Sequence, residues 1–137
     1  IEKENILMAG DLIFSSGCGR VFDGNIEQLY NSFLTVKSLP IVTLIYCAHE
    51  YTIDNIKFAL CLEPENQDLK NKLVASEGLR KNGLPTVPTT LEVELKTNPF
   101  LRTKNLVLIK EIDNSGSMSD FEIFKEIRKK KDPKWWF

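Results

Sequence analysis

The sequence predicts a mixed fold, in which a strand–helix–strand unit forms part of an α/β layer and the rest of the chain is mostly helical. Two short apolar runs, at residues 6–9 and 43–47, have the length and composition of buried strands. An amphipathic helix pattern lies between them, and the short connections are typical of a βαβ-like unit. The length of 137 residues suits one ordinary domain, or a small domain with an appendage.

The first strand and the residues after it open the predicted unit. The apolar run at 6–9 ends at Gly10, and the glycine-rich residues 12–24 are expected to form a loop. Asn25 and Gln28 have the spacing of a capping box, so a helix should begin there. The apolar face of this helix follows the i, i+3, i+4 pattern and comprises Ile26, Leu29, Tyr30, Phe33 and Leu34.

The second strand leads into the helical part of the chain. Pro40 should end the first helix, and residues 43–47 form the strand that follows. Thr52 is a good N-cap for a second helix, whose apolar residues are Ile56, Phe58, Ala59 and Leu60. Asn66 should open a third helix that continues to about Lys81.

Two prolines separate this region from the last predicted helices. Residues 84–90 are expected to be extended, because Pro85 and Pro88 exclude a regular helix. A short helix is predicted at 91–96, and Ser119 or Asp120 should cap the final helix. That helix is expected to turn three apolar residues inward: Phe121, Phe124 and Ile127. Its basic residues are expected to face solvent: Lys125, Arg128, Lys129, Lys130 and Lys131.

Composition excludes several classes of protein. A net charge of −1 argues against a dedicated nucleic-acid binder, which is normally basic. No apolar run approaches the roughly 18–20 residues that cross a membrane, and the charged residues 1–5 do not begin a signal peptide. Cys18, Cys47 and Cys61 form no CxxC pair, so we expect three free thiols in a cytoplasmic protein.

Asp11 and His49 are the residues that most suggest chemistry. Each follows a predicted strand, and His49 is the only histidine of the chain. A carboxylate can bridge two cations, and a neutral imidazole is a common ligand of zinc or iron. Structural alternatives stay open, because Asp11 could cap the glycine-rich loop and His49 could simply form a hydrogen bond at its strand end. Zinc needs at least three protein ligands, so these two residues cannot complete a zinc site by themselves.

Two other groups of residues have competing interpretations. Arg128 and Lys131 lie three positions apart on one helix face, where they could bind a carboxylate. The same face could instead be solvated, or it could be part of an RNA-binding tail with the aromatic residues 135–137. Cys18 lies beside Arg20 and could be a nucleophile with His49 as its base. The alternative for Cys18 is a small residue buried in a tight loop.

Seven motifs, taken in register, resemble the glyoxalase II (hydroxyacylglutathione hydrolase) family of the metallo-β-lactamase superfamily. The resemblance extends from about Met8 to Lys131. The motifs are GDxxFxxGCGR at 10–20, HEYT at 49–52, Asn55 with Lys57-Phe58-Ala59, Glu63-Pro64 with Asn66, Pro85-Thr86-Val87-Pro88, Asn98-Pro99-Phe100-Leu101-Arg102, and Ile127-Arg128 with Lys131-Asp132.

The resemblance implies a fold and a division into domains. The fold is of the α+β class, with the αββα metallo-β-lactamase-like arrangement. This chain would supply the second half of the four-layer sandwich plus a C-terminal helical domain. Residues 1–51 would be the last part of the catalytic domain. Residues 52–137 would be the helical domain that binds the glutathione substrate.

The resemblance also implies a reaction and its residues. Family members hydrolyse S-D-lactoylglutathione to glutathione and D-lactate, in methylglyoxal detoxification, with two divalent metal ions that are Zn, Fe or Mn. Asp11 matches the metal-bridging aspartate and His49 a ligand of the second metal, which makes these two the catalytic residues. Five further positions match the glutathione-binding residues of the family: Arg20, Phe22, Tyr51, Arg128 and Lys131. Phe22 stands where some members have tyrosine, so one hydroxyl contact would be lost.

Four departures from the family pattern bear on activity. The metal-binding motif T-H-x-H-x-D-H and the third-segment histidine are absent from this sequence, and the family would place them before Ile1. Ala48 and Leu12 also stand where glycine and threonine are usual. We therefore expect this chain alone to be inactive and to need the N-terminal half as its partner. The alternatives are a non-catalytic remnant of a split gene, or a small interaction or RNA-binding protein that uses the basic C-terminal helix.

Overall fold

The structure is a computed structural model that describes residues 4–20 and 25–131. Within those residues, the strands are β1 (Ile6–Gly10), β2 (Ile13–Phe14), β3 (Gly17–Cys18), β4 (Leu44–Cys47) and β5 (Thr89–Thr90). The helices are α1 (Ile26–Lys37), α2 (Thr52–Leu62), α3 (Gln67–Lys81), α4 (Leu91–Thr97), a 3-10 helix (Pro99–Leu101), α5 (Leu106–Ile112) and α6 (Asp120–Lys131). The mixture of helices and small sheets is compatible with the predicted α+β class.

The predicted βαβ unit is confirmed by the pairing of its strands. β1 and β4 are parallel neighbours, with Met8 opposite Tyr46, and β5 adds to β4 in the antiparallel direction. Because side chains alternate across a strand, the sheet has two different faces. Ile45 lies fully buried on the inner face, whereas Met8 is 74% exposed and Tyr46 is also exposed on the outer face. The outer face is therefore apolar but open to solvent.

Helix α1 forms where its cap predicts. The Asn25 side chain accepts a hydrogen bond from the Gln28 backbone, and the Gln28 side chain accepts one from the Asn25 backbone. The helix ends at Lys37, before Pro40. One expectation for its apolar face is wrong, since Leu34 is 46% exposed. Val36 is buried instead, so the apolar stripe of the helix is rotated away from Leu34 relative to the prediction.

Three local features differ from the sequence prediction. The predicted loop at 12–24 contains the β2–β3 hairpin, whose two-residue strands are too short to show any periodicity. Thr52 does not cap α2 but is its first helical residue, and the N-cap is Tyr51. Helix α5 was not predicted, although Asn105 caps it by accepting hydrogen bonds from the backbone of Val107 and Leu108.

An aromatic core joins the first and last helices to the 3-10 helix. The rings of Phe33, Phe100 and Phe124 meet in edge-to-face geometry, with centroids 5.3–6.2 Å apart. Tyr30 packs against Phe124 at 5.3 Å. Such pairs bury large apolar areas and add about 0.5–1.5 kcal/mol each beyond that burial. This core fixes α6 beside the hairpin. No helix within the described residues is long and apolar enough to span a membrane.

The expected outward direction of Arg128 is wrong. This residue is only 2% exposed, although it lies in the basic last turn of α6. Its Nη1 donates to the Cys18 carbonyl at 2.8 Å, and its guanidinium carbon lies 5.8 Å from the centroid of the Phe100 ring. A guanidinium can be buried when carbonyl oxygens and an aromatic face compensate for its lost hydration. Helix periodicity alone could not reveal those partners.

Candidate functional site

The ends of two parallel strands bring Asp11 and His49 together. Parallel strands present their carboxyl ends at one edge of a sheet, and the Ala48 N–H donates to the Gly10 carbonyl at 2.9 Å. Gly10 has a φ of 53°, a conformation that glycine adopts without strain. Nε2 of His49 then lies 3.1 Å from Oδ1 of Asp11, and both side chains are about half exposed, at 49% and 56%. The two predicted ligands thus converge and are accessible.

Aromatic rings surround the imidazole. The ring of Tyr51 stacks on that of His49, with centroids 5.0 Å apart and an angle of 15° between the planes. Phe14 meets Tyr51 edge-on at 5.1 Å and lies 6.0 Å from His49. Because Phe14 is buried in the hairpin, it is the fixed member of this group. The hairpin therefore sets the orientation of His49 and Tyr51.

Glu50 connects the loop that carries His49 and Tyr51 to a distant segment of the chain. One carboxylate oxygen of Glu50 accepts from the Thr86 backbone and the other from the Thr86 hydroxyl, each at 2.6 Å. Burial raises the pKa of the Glu50 carboxyl, but the hydrogen bonds from Thr86 and Thr52 outweigh it, so the pKa lies below its ordinary value. The ionised carboxylate thus ties the His49–Tyr51 loop to the proline-containing link at 84–90.

The glycines of the GCGR segment are needed for close approach. A Cβ atom at Gly19 would overlap the backbone carbonyl of Asp11, and one at Gly17 would overlap the side chain of Asn55. The Gly19 N–H donates to the Leu12 carbonyl at 3.0 Å. The chain can therefore fold back on itself directly behind Asp11, which places Cys18 and Arg20 beside the strand ends.

The predicted cationic residues lie on the other side of the same region. Nζ of Lys131 donates to Oδ1 of Asn55 and lies 5.2 Å from the centroid of the Phe58 ring. Asn55 also donates to the Ser15 carbonyl at 3.3 Å, so it links the ammonium group to the hairpin. Arg20 is exposed, whereas Lys131 is partly buried and Arg128 is buried. The three cations of the cleft therefore have different surroundings.

These residues share one cleft of about 570 Å3. The cleft contains six of the seven predicted site residues, and Phe22 lies outside the described residues. The resemblance implied no site role for the other six lining residues, of which only Asp54 stood outside the family motifs. The lining residues are Asp11, Phe14, Cys18, Gly19, Arg20, His49, Tyr51, Asp54, Asn55, Phe58, Arg128 and Lys131.

This geometry does not favour the alternative in which Cys18 is a nucleophile with His49 as its base. Cys18 is buried and its Sγ donates to the Gly19 carbonyl at 3.1 Å, while the only imidazole is engaged with Asp11. Both facts favour the structural role for this cysteine over the nucleophile. The aromatic residues 135–137 of the suggested RNA-binding tail lie outside the described residues.

The donor set partly fits a metal centre. Asp11 and His49 supply one oxygen and one nitrogen donor that point at the same space, which suits zinc or iron. Among residues 4–20 and 25–131, no group of three or more His, Cys, Asp or Glu side chains could hold a metal ion. A zinc site needs at least three protein ligands. The described residues therefore offer two donors, fewer than a zinc site needs.

Comparison with known proteins identifies relatives of this chain. The family described as "Hydroxyacylglutathione hydrolase C-terminus" matches residues 50–134. A hydroxyacylglutathione hydrolase of Bartonella henselae is 47% identical over 130 residues, which are 95% of this chain and 51% of the relative. A cytoplasmic hydroxyacylglutathione hydrolase of Arabidopsis thaliana is 42% identical over 133 residues, 96% of this chain and 50% of that protein. The chain spans about half the length of the curated relatives it matches.

Proposed function

This chain belongs to the hydroxyacylglutathione hydrolase family, and on that basis we propose that it is the C-terminal half of a metal-dependent thioester hydrolase. The proposed reaction converts S-D-lactoylglutathione to glutathione and D-lactate. The observation that carries the proposal is the convergence of Asp11 and His49 at 3.1 Å beside a cleft lined by cations and aromatic rings.

The proposed metal ligands are Asp11 and His49. Both donors are accessible and neither is saturated by surrounding protein, as a metal-binding role requires. Two bound divalent cations would supply Lewis-acid stabilisation of the negative charge that develops when a thioester carbonyl is attacked. We propose that the other ligands belong to the N-terminal half found in the longer relatives, so that the 137-residue chain alone does not hydrolyse the thioester.

The proposed substrate-binding residues face the carboxylates of glutathione. Arg20, Tyr51, Arg128 and Lys131 line the cleft and combine positive charge with an aromatic surface. A guanidinium binds a carboxylate in bidentate geometry, and Lys131 provides a point charge. Phe22, which lies outside the described residues, is proposed as a glutathione-binding residue from the family match alone, without a hydroxyl contact.

The open face of the sheet supports the proposed αββα arrangement. Met8 and Tyr46 lie side by side on that face, exposed to solvent. An apolar sheet face of this kind is usually covered by another layer. We propose that a second sheet from the N-terminal half covers it. The division at residue 51 and a cytoplasmic location, which suits three free thiols, remain part of the same proposal.

Reconstitution tests the proposed function. The chain would be joined to the N-terminal half of the Bartonella henselae relative, loaded with zinc, and assayed for hydrolysis of S-D-lactoylglutathione. We expect turnover from the joined protein and none from residues 1–137 alone. Asp11→Ala and His49→Ala should each remove the activity and lower the bound zinc, whereas Asp68→Ala, on the exposed side of α3, should change neither. Full activity in either of the first two variants would contradict the proposed ligands.

A further inference from the structure

We propose that Glu94 is a positioning residue that holds in place the β2–β3 hairpin, which forms one wall of the cleft. It acts on the hairpin, residues 13–18, and does not itself line the cleft. The hairpin presents Phe14 and Cys18 to the cleft on the opposite side. The inference rests on the proposed function only for its ligand-binding measurement.

Glu94 is a completely buried carboxylate, with 0% exposure, held by four donors. Oε1 accepts from the Ser16 backbone N–H at 2.7 Å and from Nδ2 of Asn98 at 3.1 Å. Oε2 accepts from Nζ of Lys72 at 2.8 Å and from the Thr89 hydroxyl at 2.9 Å. A buried carboxylate is tolerated when a cation compensates its charge and its lone pairs are occupied. Glu94 meets both conditions.

The bond to Ser16 is the one that reaches the cleft wall. Ser16 is a non-glycine residue with a φ of 60°, in the sparsely populated left-handed region. It is completely buried, so its N–H has no access to water. A buried N–H without a partner is costly, and the Glu94 carboxylate removes that cost. The left-handed turn of the hairpin is therefore stabilised by a side chain 78 positions later in the chain.

Neighbours of Glu94 hold the same hairpin at other points. Nδ2 of Asn98 donates to the Gly17 carbonyl at 2.9 Å, and Nζ of Lys72 donates to the Ser16 hydroxyl at 2.6 Å. The Ser16 hydroxyl also donates to that of Thr97 at 3.1 Å. Because Glu94 contacts both Lys72 and Asn98, it orients the two side chains that form these further hydrogen bonds to the hairpin. Residues of α3 and α4, with Asn98 directly after α4, thereby hold the hairpin at its turn without lining the cleft.

A displaced hairpin would disturb the cleft through two contacts. Phe14 is the fixed ring against Tyr51 and His49. The Cys18 carbonyl accepts the guanidinium of Arg128 at 2.8 Å. Loosening the turn at Ser16 would release both contacts at once, since Phe14 and Cys18 are each two residues from it. Substrate binding would then weaken although no residue of the cleft had changed.

The variant Glu94→Gln isolates this effect, because it keeps the shape and removes the charge. In one orientation its amide NH2 would face the Lys72 ammonium, and in the other it would face the Ser16 N–H and the Asn98 amide, and two donors cannot pair. Glu92→Gln is the matched control: Glu92 lies in the same helix, is exposed, and forms only a loose pair with Lys96 at 3.8 Å. Both variants would be made in the joined protein described above.

Two measurements decide the inference. Hydrogen exchange should become at least about tenfold faster for amides 13–19 in Glu94→Gln, while α2 remains protected, and Glu92→Gln should leave both unchanged. The Kd of a non-hydrolysable S-alkyl glutathione should rise about fivefold in Glu94→Gln. KM should rise similarly, with a smaller fall in kcat, because Glu94 contacts neither proposed metal ligand and reaches His49 only through Phe14.

Several outcomes would overturn the inference. Unchanged exchange of the hairpin would do so, and so would an equal increase in α2, which would reveal a general loss of stability. Faster hairpin exchange with an unchanged Kd would also remove the positioning role. If the unmodified protein binds no glutathione conjugate, the proposed function fails, and hairpin exchange alone decides whether Glu94 holds the wall.

Discussion

Asp11 lies at the base of the β2–β3 hairpin and Glu94 at its turn, and their surroundings differ in almost every respect. Asp11 is 56% exposed and faces a single imidazole, whereas Glu94 is completely buried and accepts four hydrogen bonds. A carboxylate that holds structure uses its lone pairs within its own chain. One that is proposed to bind a ligand must keep acceptor capacity available. The contrast distinguishes Glu94, which supports the cleft, from Asp11, which lines it.

The largest effect should come from removing the cation beside the buried carboxylate. In Lys72→Met, Glu94 would remain buried without charge compensation, and breaking a buried pair in this way costs about 3–5 kcal/mol. Urea denaturation at neutral pH measures the free energy of unfolding. Lys70→Met is the control, since Lys70 lies in the same helix and forms only an exposed pair with Glu65 at 3.7 Å. Equal stability of the two variants would contradict the distinction between the two carboxylates.

A smaller effect is expected where the backbone at Gly19 packs against Asp11. Gly19→Ala would drive a Cβ atom into the Asp11 carbonyl, and overpacking of this kind typically costs about 1–3 kcal/mol. Gly78→Ala is the matched control, because a Cβ atom at this position of helix α3 would meet no neighbouring segment within 4 Å, and alanine favours a helix by about 0.5–1 kcal/mol. Thermal unfolding should therefore shift in opposite directions in the two variants. A stabilised Gly19→Ala protein would show that the backbone behind Asp11 is not tightly fitted.

Removing the exposed carboxylate should hardly affect stability. Asp11→Asn deletes the charge opposite His49, and exposed ion pairs contribute about 0–1 kcal/mol. We expect its urea midpoint to lie close to that of Lys96→Ala, which removes the exposed pair with Glu92. A loss comparable to that of Lys72→Met would mean that Asp11 is mainly structural, which is the alternative that its position beside the glycine-rich loop left open.

The smallest effect concerns a third carboxylate, in the turn after α5. The Ser115 hydroxyl and the Met118 backbone N–H donate to Asp113 and lower the pKa of its carboxyl. A lowered folded-state pKa contributes stability above the unfolded pKa, and this is lost as the pH falls through the folded value. Asp113→Asn should therefore flatten the dependence of stability on pH in the acid range. Identical acid slopes for the two proteins, in denaturation from about pH 7 down to about pH 3, would argue against these bonds.

Local patterns predicted a substantial part of the fold. The capping box at Asn25, the two apolar strands and the N-cap at Asn66 depend on neighbours in sequence, and all are present. The hairpin could not be predicted, because two-residue strands have no period and the turn at Ser16 depends on Glu94. The burial of Arg128 was missed for the same reason, since its partner is 110 residues away in the chain.

By itself, the sequence determined strands β1 and β4 and most helices, the strand-end positions of Asp11 and His49, and the family. These follow from periodicity, capping and motif spacing, which act over a few residues or are read directly from residue identity. Only the tertiary structure decided that six predicted residues share one cleft, that Arg128 is buried, and that Glu94 supports the cleft wall. Those features depend on hydrogen bonds and burial between segments about 40–110 positions apart, and no local pattern records them.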